Sequence, residues 1–196
     1  MTKLVAVVHG EAFGAYVDAR PDSPTRGAVE TVRLLPGTQV LVPQGVCNGF
    51  QVLCEAGLLP GALTRNEGLH FICRDVWLEV TATSTAWSSR YESGADILIP
   101  LKSGEGRYVA SENVLDELEG EGRVVFRYRD NMNGSMRSIA GISSANGRVV
   151  GLMPHPEHAV EPGFGPDTAA GPRSGVDGLG FFTSVLTTLA SRGGHA

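Results

Sequence analysis

A strand, sharp turn and helix pattern centred on Cys47 constrains this chain more than any other stretch of its sequence. The apolar residues Val40–Val42 lead into the turn, and the helix-compatible residues 51–57 leave it. Gly45 and Gly49 flank the cysteine, where a residue without Cβ lets neighbouring backbone pass closely. The positive end of the following helix favours a thiolate. The pattern predicts a nucleophile elbow with Cys47 at its apex; the alternative is a buried structural cysteine.

Composition and charge limit the class of protein. The chain has 196 residues, and we expect a single domain over residues 1–196. The formal net charge is -5 and no run of Lys and Arg stands out, which argues against a nucleic-acid partner. The apolar runs are too short to span a membrane. The cysteine count is odd and lacks metal-ligand spacing, which favours a reducing cytoplasm, and Cys54 and Cys73 are expected in the core.

The apolar periodicity along the chain predicts an α/β fold. Continuous apolar runs at Leu4–Val8 and 40–42 are typical of central parallel strands. The stretch from about Leu69 to Ile142 alternates more, as antiparallel strands do. We therefore expect a mixed, mostly parallel sheet flanked by helices. Further helices are predicted at Arg26–Leu35, Ser111–Glu119 and Leu179–Ser191, a loop at Glu11–Thr25, and strands at 69–73, 76–83, 96–101, 123–128, 139–142 and 149–153.

A cysteine nucleophile needs a base, and the base needs a group that orients it. His155 and Glu157 lie in a Pro-His-Pro-Glu segment that follows an apolar run. Strand-like alternation would place both side chains on one side, where the carboxylate holds the imidazole in a single tautomer. The spacing predicts a Cys47–His155–Glu157 triad. His158 is a competing base, and a structural histidine in a proline-rich turn is the alternative interpretation of His155.

The sequence around these residues resembles that of the class I glutamine amidotransferases. Three segments are similar to the glutaminase-subunit family of phosphoribosylformylglycinamidine synthase, from purine biosynthesis. They are the Cys-Asn-Gly-Phe-Gln core at Cys47–Gln51, the segment Gly57–Leu63 and the segment Gly151–Glu157. The resemblance covers roughly Gly45 to the C-terminus. It implies a flavodoxin-like class I glutamine amidotransferase fold. It also implies hydrolysis of glutamine to glutamate and ammonia through a γ-glutamyl thioester.

The resemblance implies a role for each matching residue. Cys47 would attack the glutamine amide carbon, His155 would move the protons, and Glu157 would orient His155. The backbone N–H of Asn48 would stabilise the oxyanion. The residues implied in holding glutamine are Asn48, Gly49, Gln51, Asn133, Gly134 and Ser135.

The resemblance also implies partners. Ammonia would pass to a large ATP-dependent synthetase subunit, which associates with a small bridging subunit. ATP and Mg²⁺ are expected on that synthetase partner. No cofactor or metal is expected in this chain, whose sequence has no P-loop.

The N-terminal region departs from the family pattern. The family follows its first strand with a helix, further strands and a glycine-rich loop that supplies a second oxyanion N–H group. Here Phe13–Tyr16 resembles a remnant of that loop without its paired glycines, and about one βαβ unit is absent. Two alternatives to an active glutaminase therefore stand. One is a divergent paralogue with an impaired glutamine site, acting as a binding or regulatory subunit or with another ammonia acceptor. The other is a cysteine hydrolase of a different substrate.

Overall fold

The chain divides into two compact units, Met1–Cys47 and Asn48–Ala196. A computed structural model describes residues 3–6, 12–17, 24, 29–35, 39–42, 49–162 and 175–193. The single domain expected over residues 1–196 stays a prediction. Among the described residues, no helix combines the length and the apolar character that crossing a membrane requires.

Four strands make up the described part of the first unit. They are β1 (Lys3–Ala6), β2 (Ala12–Val17), β3 (Val29–Leu34) and β4 (Gln39–Val42). β1 pairs with β4 and β2 pairs with β3, and both pairs are antiparallel. The strands predicted at the N-terminus and before the elbow are therefore confirmed over their described residues.

Two predictions for the first unit are wrong. Residues 29–34 form a strand and not part of a helix, because Val29, Thr31 and Val32 are β-branched and favour extended backbone over a helix. The stretch Phe13–Tyr16, predicted as loop, lies inside β2, with Ala15 opposite Thr31. The segment that resembles a remnant of the family's oxyanion loop is thus paired as a strand.

A five-stranded sheet forms the centre of the second unit. From one edge to the other, its strands are β11 (Val150–Leu152), β10 (Ile139–Ser143), β9 (Val124–Tyr128), β6 (Ile72–Val80) and β7 (Asp96–Ser103). A separate pair joins β5 (Ala62–Thr64) to β8 (Arg107–Val109). The helices are α1 (Gly49–Glu55), α2 (Glu112–Gly120) and α3 (Leu179–Gly193).

The mixed α/β class is confirmed, but the predicted predominance of parallel pairing is wrong for the described strands. Every strand pair in the described part of the chain is antiparallel. Within the large sheet β6 pairs with β7, β9 returns to pair with β6, and β10 and β11 follow as neighbours. β10 and β11 are joined by a tight turn at Gly147, whose φ is +65°. Parallel neighbours would need a crossover of roughly a dozen or more residues between them.

The core of the second unit involves both faces of the central strand β9, where the adjacent residues Val125 and Phe126 are fully buried, but mainly one face of β6. Val76, Leu78 and Val80 alternate inward from β6, as their spacing predicts. Cys73 is on the opposite, exposed face, so the prediction that it lies in the core is wrong; the period of two residues that buries Val76 turns Cys73 outward. Cys54 is buried, as predicted.

The C-terminal helix packs on the sheet, as its apolar sequence predicts. The ring of Phe181 on α3 lies 4.9 Å from that of Trp87 and 6.4 Å from that of Phe126 on β9. Tyr91 meets Phe126 edge to face, and its hydroxyl donates to the carbonyl of Asp177 over 2.8 Å. These aromatic contacts fix the helix against the sheet.

Candidate active site

His155 is positioned at the point where the two edges of the five-stranded sheet meet. The chain leaves β11 and donates the Met153 N–H to Ala140 over 3.0 Å. The His155 N–H then donates over 2.7 Å to the carbonyl of Pro100 on β7, the strand at the other edge. The sheet is therefore curled. Pro100 has no N–H for a ladder, so an edge strand is where a sheet accommodates it.

A short 3₁₀ helix, Pro156–His158, carries the rest of the site. Proline at its first position has the backbone angle that a helical turn requires. Gly178 packs directly on the Pro156 carbonyl, in a space that any side chain would fill. The prediction that His155 and Glu157 meet through strand alternation is wrong, since the strand ends at Leu152 and a helical turn brings them together.

His155 and Glu157 form a hydrogen-bonded pair. The Nδ1 atom of the imidazole is 2.7 Å from Oε1 of the carboxylate, and His155 is only 7% exposed. Partial burial acts to raise the pKa of Glu157, but the hydrogen bond with His155 and further favourable contacts outweigh it and lower the pKa. Glu157 is therefore ionised at neutral pH and accepts the Nδ1 proton, which leaves the lone pair of neutral His155 on Nε2.

His158 lies beside the pair. Its ring meets that of His155 edge to face at 5.6 Å, and its Nε2 is 3.8 Å from the Glu157 oxygen that His155 contacts. The shorter distance and deeper burial belong to His155. His155 is therefore the better-oriented base of the two.

The apex of the predicted elbow, with Cys47 and Asn48, lies outside the described residues. The helix that follows begins at Gly49, and Phe50 is buried against Gly151 of β11. Within the described part of the chain, the buried Oε1 of Gln51 accepts no hydrogen bond. A buried acceptor without a donor costs about 1–3 kcal/mol, so Gln51 is suited to receive one from a ligand.

The predicted glutamine-binding loop, residues 133–135, belongs to a buried polar network. Asn133 Nδ2 donates over 2.8 Å to the Gly106 carbonyl, and Ser135 Oγ accepts from the Tyr108 N–H over 3.0 Å. Gly134 has a φ of +77° and accepts from Arg107 Nε through its carbonyl. Since Asn133 and Ser135 are each 1% exposed, their side chains hold the loop in place, and their implied role with glutamine stays a prediction.

Asn66 is the centre of this network and was missed by sequence reasoning. It is 1% exposed, donates over 2.7 Å to the Ser103 carbonyl and accepts from the Gly106 N–H over 3.0 Å. A single asparagine just ahead of a predicted strand usually indicates a turn or loop, so the sequence carried no signal of burial.

Cys54 is unsuited to be a nucleophile. Burial, followed by the nearby negative charge of Glu55, raises the pKa of the Cys54 thiol to about 11. The residue therefore stays a protonated thiol at neutral pH.

Two family models match the chain. The CobB/CobQ-like glutamine amidotransferase domain matches residues 40–182, most of the chain. The dTDP-4-dehydrorhamnose 3,5-epimerase model matches residues 1–60, which include the whole first unit. The second match spans less than half of the chain. It falls on the region where the sequence departs from the amidotransferase pattern.

Curated relatives match nearly the whole chain. The phosphoribosylformylglycinamidine synthase subunit PurQ of Rhodococcus jostii is 66% identical over 189 residues, with 95% of this chain and 80% of the relative covered. The subunit PurQ of Mycobacterium bovis is 75% identical over 185 residues, with 94% and 79% covered. A solved structure of PurLQS from Thermotoga maritima matches with a TM-score of 0.61 at 42% identity, covering 72% of this chain and 58% of that chain.

An oriented histidine–carboxylate pair on an α/β scaffold, in a chain matched by this family model, defines a glutamine amidotransferase. The chain belongs to that family, and within it to the PurQ-type subunits of phosphoribosylformylglycinamidine synthase.

Proposed function

We propose that this chain hydrolyses glutamine to glutamate and ammonia for an ATP-dependent synthetase that makes phosphoribosylformylglycinamidine in purine biosynthesis. The observation that carries the proposal is the 2.7 Å hydrogen bond between His155 and the ionised Glu157 in a chain of the amidotransferase family. This pair fixes the imidazole tautomer that a general base needs.

The proposed reaction proceeds through a thioester on Cys47. His155 Nε2 accepts the thiol proton, and the sulfur attacks the amide carbon of glutamine. The tetrahedral intermediate collapses when the same nitrogen returns the proton to the leaving ammonia. Water, deprotonated by His155, then attacks the thioester, so that glutamate leaves and Cys47 regains its proton. Glu157 stays ionised throughout and stabilises the imidazolium.

Binding of glutamine is assigned to the start of the elbow helix. The buried Oε1 of Gln51 would accept a hydrogen bond from the substrate, and the Asn48 N–H would donate to the oxyanion. Gly49, at the N-terminus of α1, leaves room beside the substrate because it has no side chain. The buried network around Asn133–Ser135 would support this pocket through the backbone.

The partners we propose are the large synthetase subunit and the small bridging subunit. The PurLQS structure from Thermotoga maritima supports such an assembly, since 72% of this chain matches one of its chains. In this proposal the chain itself holds no cofactor for the reaction, and ATP and Mg²⁺ bind to the synthetase partner. We also place the activity in the cytoplasm, because Cys54 and Cys73 are both free thiols.

Ammonia release tests the proposal. The chain is mixed with its synthetase and bridging partners, glutamine is added, and ammonia is measured for the wild type and for Cys47→Ala. We expect turnover in the wild type and none above background in the variant. Turnover that survives in Cys47→Ala contradicts the proposal.

A second candidate is a paralogue with an impaired glutamine site. It is favoured by one observation, the pairing of Phe13–Tyr16 within β2, where the family has its glycine-rich oxyanion loop. Losing an oxyanion donor typically costs about 10²–10³ in kcat. A correctly folded wild-type chain that binds its partners but releases no ammonia would support this candidate.

A further inference from the structure

Three metal-ligating side chains meet at the 3₁₀ helix. One ligand atom from each of His155, Glu157 and His158 lies within 4.8 Å of the other two. Oε1 of Glu157 is 2.7 Å from Nδ1 of His155 and 3.8 Å from Nε2 of His158. We propose that these side chains bind zinc or a similar divalent transition metal, and that the bound metal inhibits the glutaminase.

The donor set fits zinc chemically. Two imidazole nitrogens and one carboxylate oxygen form a three-ligand set that leaves a fourth position open. Donors bound to a tetrahedral zinc lie about 3.3 Å apart, given bonds of about 2.0–2.2 Å. The observed separations of 2.7 and 3.8 Å bracket that value. All three donor atoms lie within 4.8 Å of one another. Side-chain displacements of up to about 1.5 Å would therefore bring them to the separation that a tetrahedral zinc requires.

Burial divides the ligands into one fixed and two adjustable groups. The side chain of His155 is 8% exposed, and its backbone is held by Pro100. The side chains of Glu157 and His158 are 43% and 24% exposed. The buried histidine thus provides a preorganised ligand, while the other two side chains have room to close on the ion.

An open cavity gives the metal a path to this site. Its volume is about 230 Å³, and it is lined by Glu157, His158, Val160 and Glu161. The cavity can hold the water that would occupy the fourth position. Two carboxylates in its wall favour a cation over an anion.

Metal binding removes the base from the proposed reaction. Nδ1 of neutral His155 carries the proton that Glu157 accepts. When the metal takes the Nδ1 lone pair, that proton moves through solvent to Nε2, so no net proton is released. Nε2 is then a donor and cannot accept the thiol proton. The inhibition rests on the proposed function, whereas the metal site does not.

Zinc titration of the EDTA-treated chain against a chromophoric chelator tests the site. The variants are His158→Asn and His158→Gln, with His70→Asn as the control at an exposed histidine. We expect at least about a tenfold loss of zinc affinity in both His158 variants and none in the control. Thermal unfolding without metal establishes that each variant is folded. Equal affinity in the wild type and in a folded His158 variant overturns the site.

A competing mode, in which zinc bridges Cys47 and His155, has a different signature. The proposed site contains no sulfur, so Cys47→Ala should bind zinc as the wild type does. Cobalt substituted for zinc should lack a thiolate charge-transfer band. Loss of zinc affinity in Cys47→Ala, or the presence of that band, overturns the proposed ligand set.

Ammonia release from the complex tests the inhibitory role. Zinc should inhibit the wild type, EDTA should restore activity, and His158→Asn should tolerate at least about ten times more zinc. Equal inhibition of both overturns the inhibitory role. If the metal-free wild type releases no ammonia, the proposed function fails, and the chelator titration still decides whether the metal site exists.

Discussion

At the scale of single residues, Glu157 is the side chain that orients the proposed base. Replacing Glu157 by glutamine keeps the size of the side chain but removes the negative charge that stabilises the imidazolium. The carboxylate can only accept a hydrogen bond from His155 Nδ1, whereas the amide can also donate one, so the imidazole tautomer is no longer fixed. We expect Glu157→Gln to lower kcat for ammonia release by roughly 10²–10⁴ with little change in KM. Steady-state kinetics of the complex measure both constants.

The matched control for this variant is Glu92→Gln, in an exposed loop. It should leave both kinetic constants within the error of the wild type. If Glu157→Gln retains wild-type kcat, the carboxylate does not orient the base, and His158 becomes the candidate to examine.

The lowered pKa of Glu157 predicts a pH-dependent stability. Since the pKa in the folded state lies below the ordinary 4.5, the pair stabilises the folded state fully above that pH. The stabilisation is lost as the pH falls through the lowered pKa. We expect the free energy of unfolding, from urea titrations between about pH 6 and pH 3, to fall more steeply for the wild type than for Glu157→Gln. If the free energy of unfolding fell equally with pH in the wild type and in Glu157→Gln, the lowered pKa of Glu157 would be contradicted.

For His155 and Glu157, part of the site could be predicted from the sequence and part could not. The contact between His155 and Glu157 could be predicted, because residues so close in sequence meet in several backbone conformations. Its geometry could not, since the hydrogen bond from His155 to Pro100 depends on how the sheet curls. The burial of Asn66 likewise depends on partners in a distant segment, Ser103 and Gly106.

At the scale of elements, the contact between α1 and β11 links the elbow helix to the histidine segment. Phe50 lies against Gly151, where any side chain would overlap its ring, and stacks on Tyr108 at 5.7 Å between ring centres. We expect Gly151→Ala to lower the free energy of unfolding by about 1–3 kcal/mol and to reduce glutaminase activity, because the helix must shift. Urea unfolding and ammonia release measure the two effects.

Gly120→Ala is the control for this contact. Apart from its chain neighbours and the backbone of its own helix, no atom lies within 4 Å of a methyl group added at Gly120, the last residue of α2. Stability should therefore change by less than about 0.5–1 kcal/mol, and activity should not change. Wild-type stability in Gly151→Ala would show that α1 is not held by this packing.

The strands and helices of the second unit were largely predictable. Short apolar runs identified β7, β9, β10 and β11, and an apolar C-terminal segment identified α3. The two strands predicted at 69–73 and 76–83 are a single strand, β6. In the first unit the spacing of Val29, Val32 and Leu34 suggested a helix, although it fits a strand as well. In so short a segment, the positions of the apolar residues do not distinguish the period of a helix from that of a strand. The pairing of this segment with β2 makes it a strand.

At the scale of the whole molecule, two different family models match the chain, and their ranges overlap around the boundary between the two units. Residues 40–182 match the amidotransferase model, and residues 1–60 match the epimerase model. The strand expected in a parallel arrangement before the elbow, β4, pairs antiparallel with β1. The sequence located a departure from the amidotransferase pattern in the N-terminal region, which we interpreted as a shortened version of the family's own fold. A single sequence shows that a family pattern is missing more readily than it shows which structure replaces that pattern.

The central claim is that Cys47 forms a glutamyl thioester with the help of His155 and Glu157. The most direct measurement is mass spectrometry of the chain, in complex with its synthetase partner, after exposure to the glutamine analogue diazo-oxo-norleucine. We expect stoichiometric labelling at Cys47 that excess glutamine suppresses and that Glu157→Gln slows. A folded, partner-bound chain that remains unlabelled, or is labelled at Cys73 instead, would contradict it.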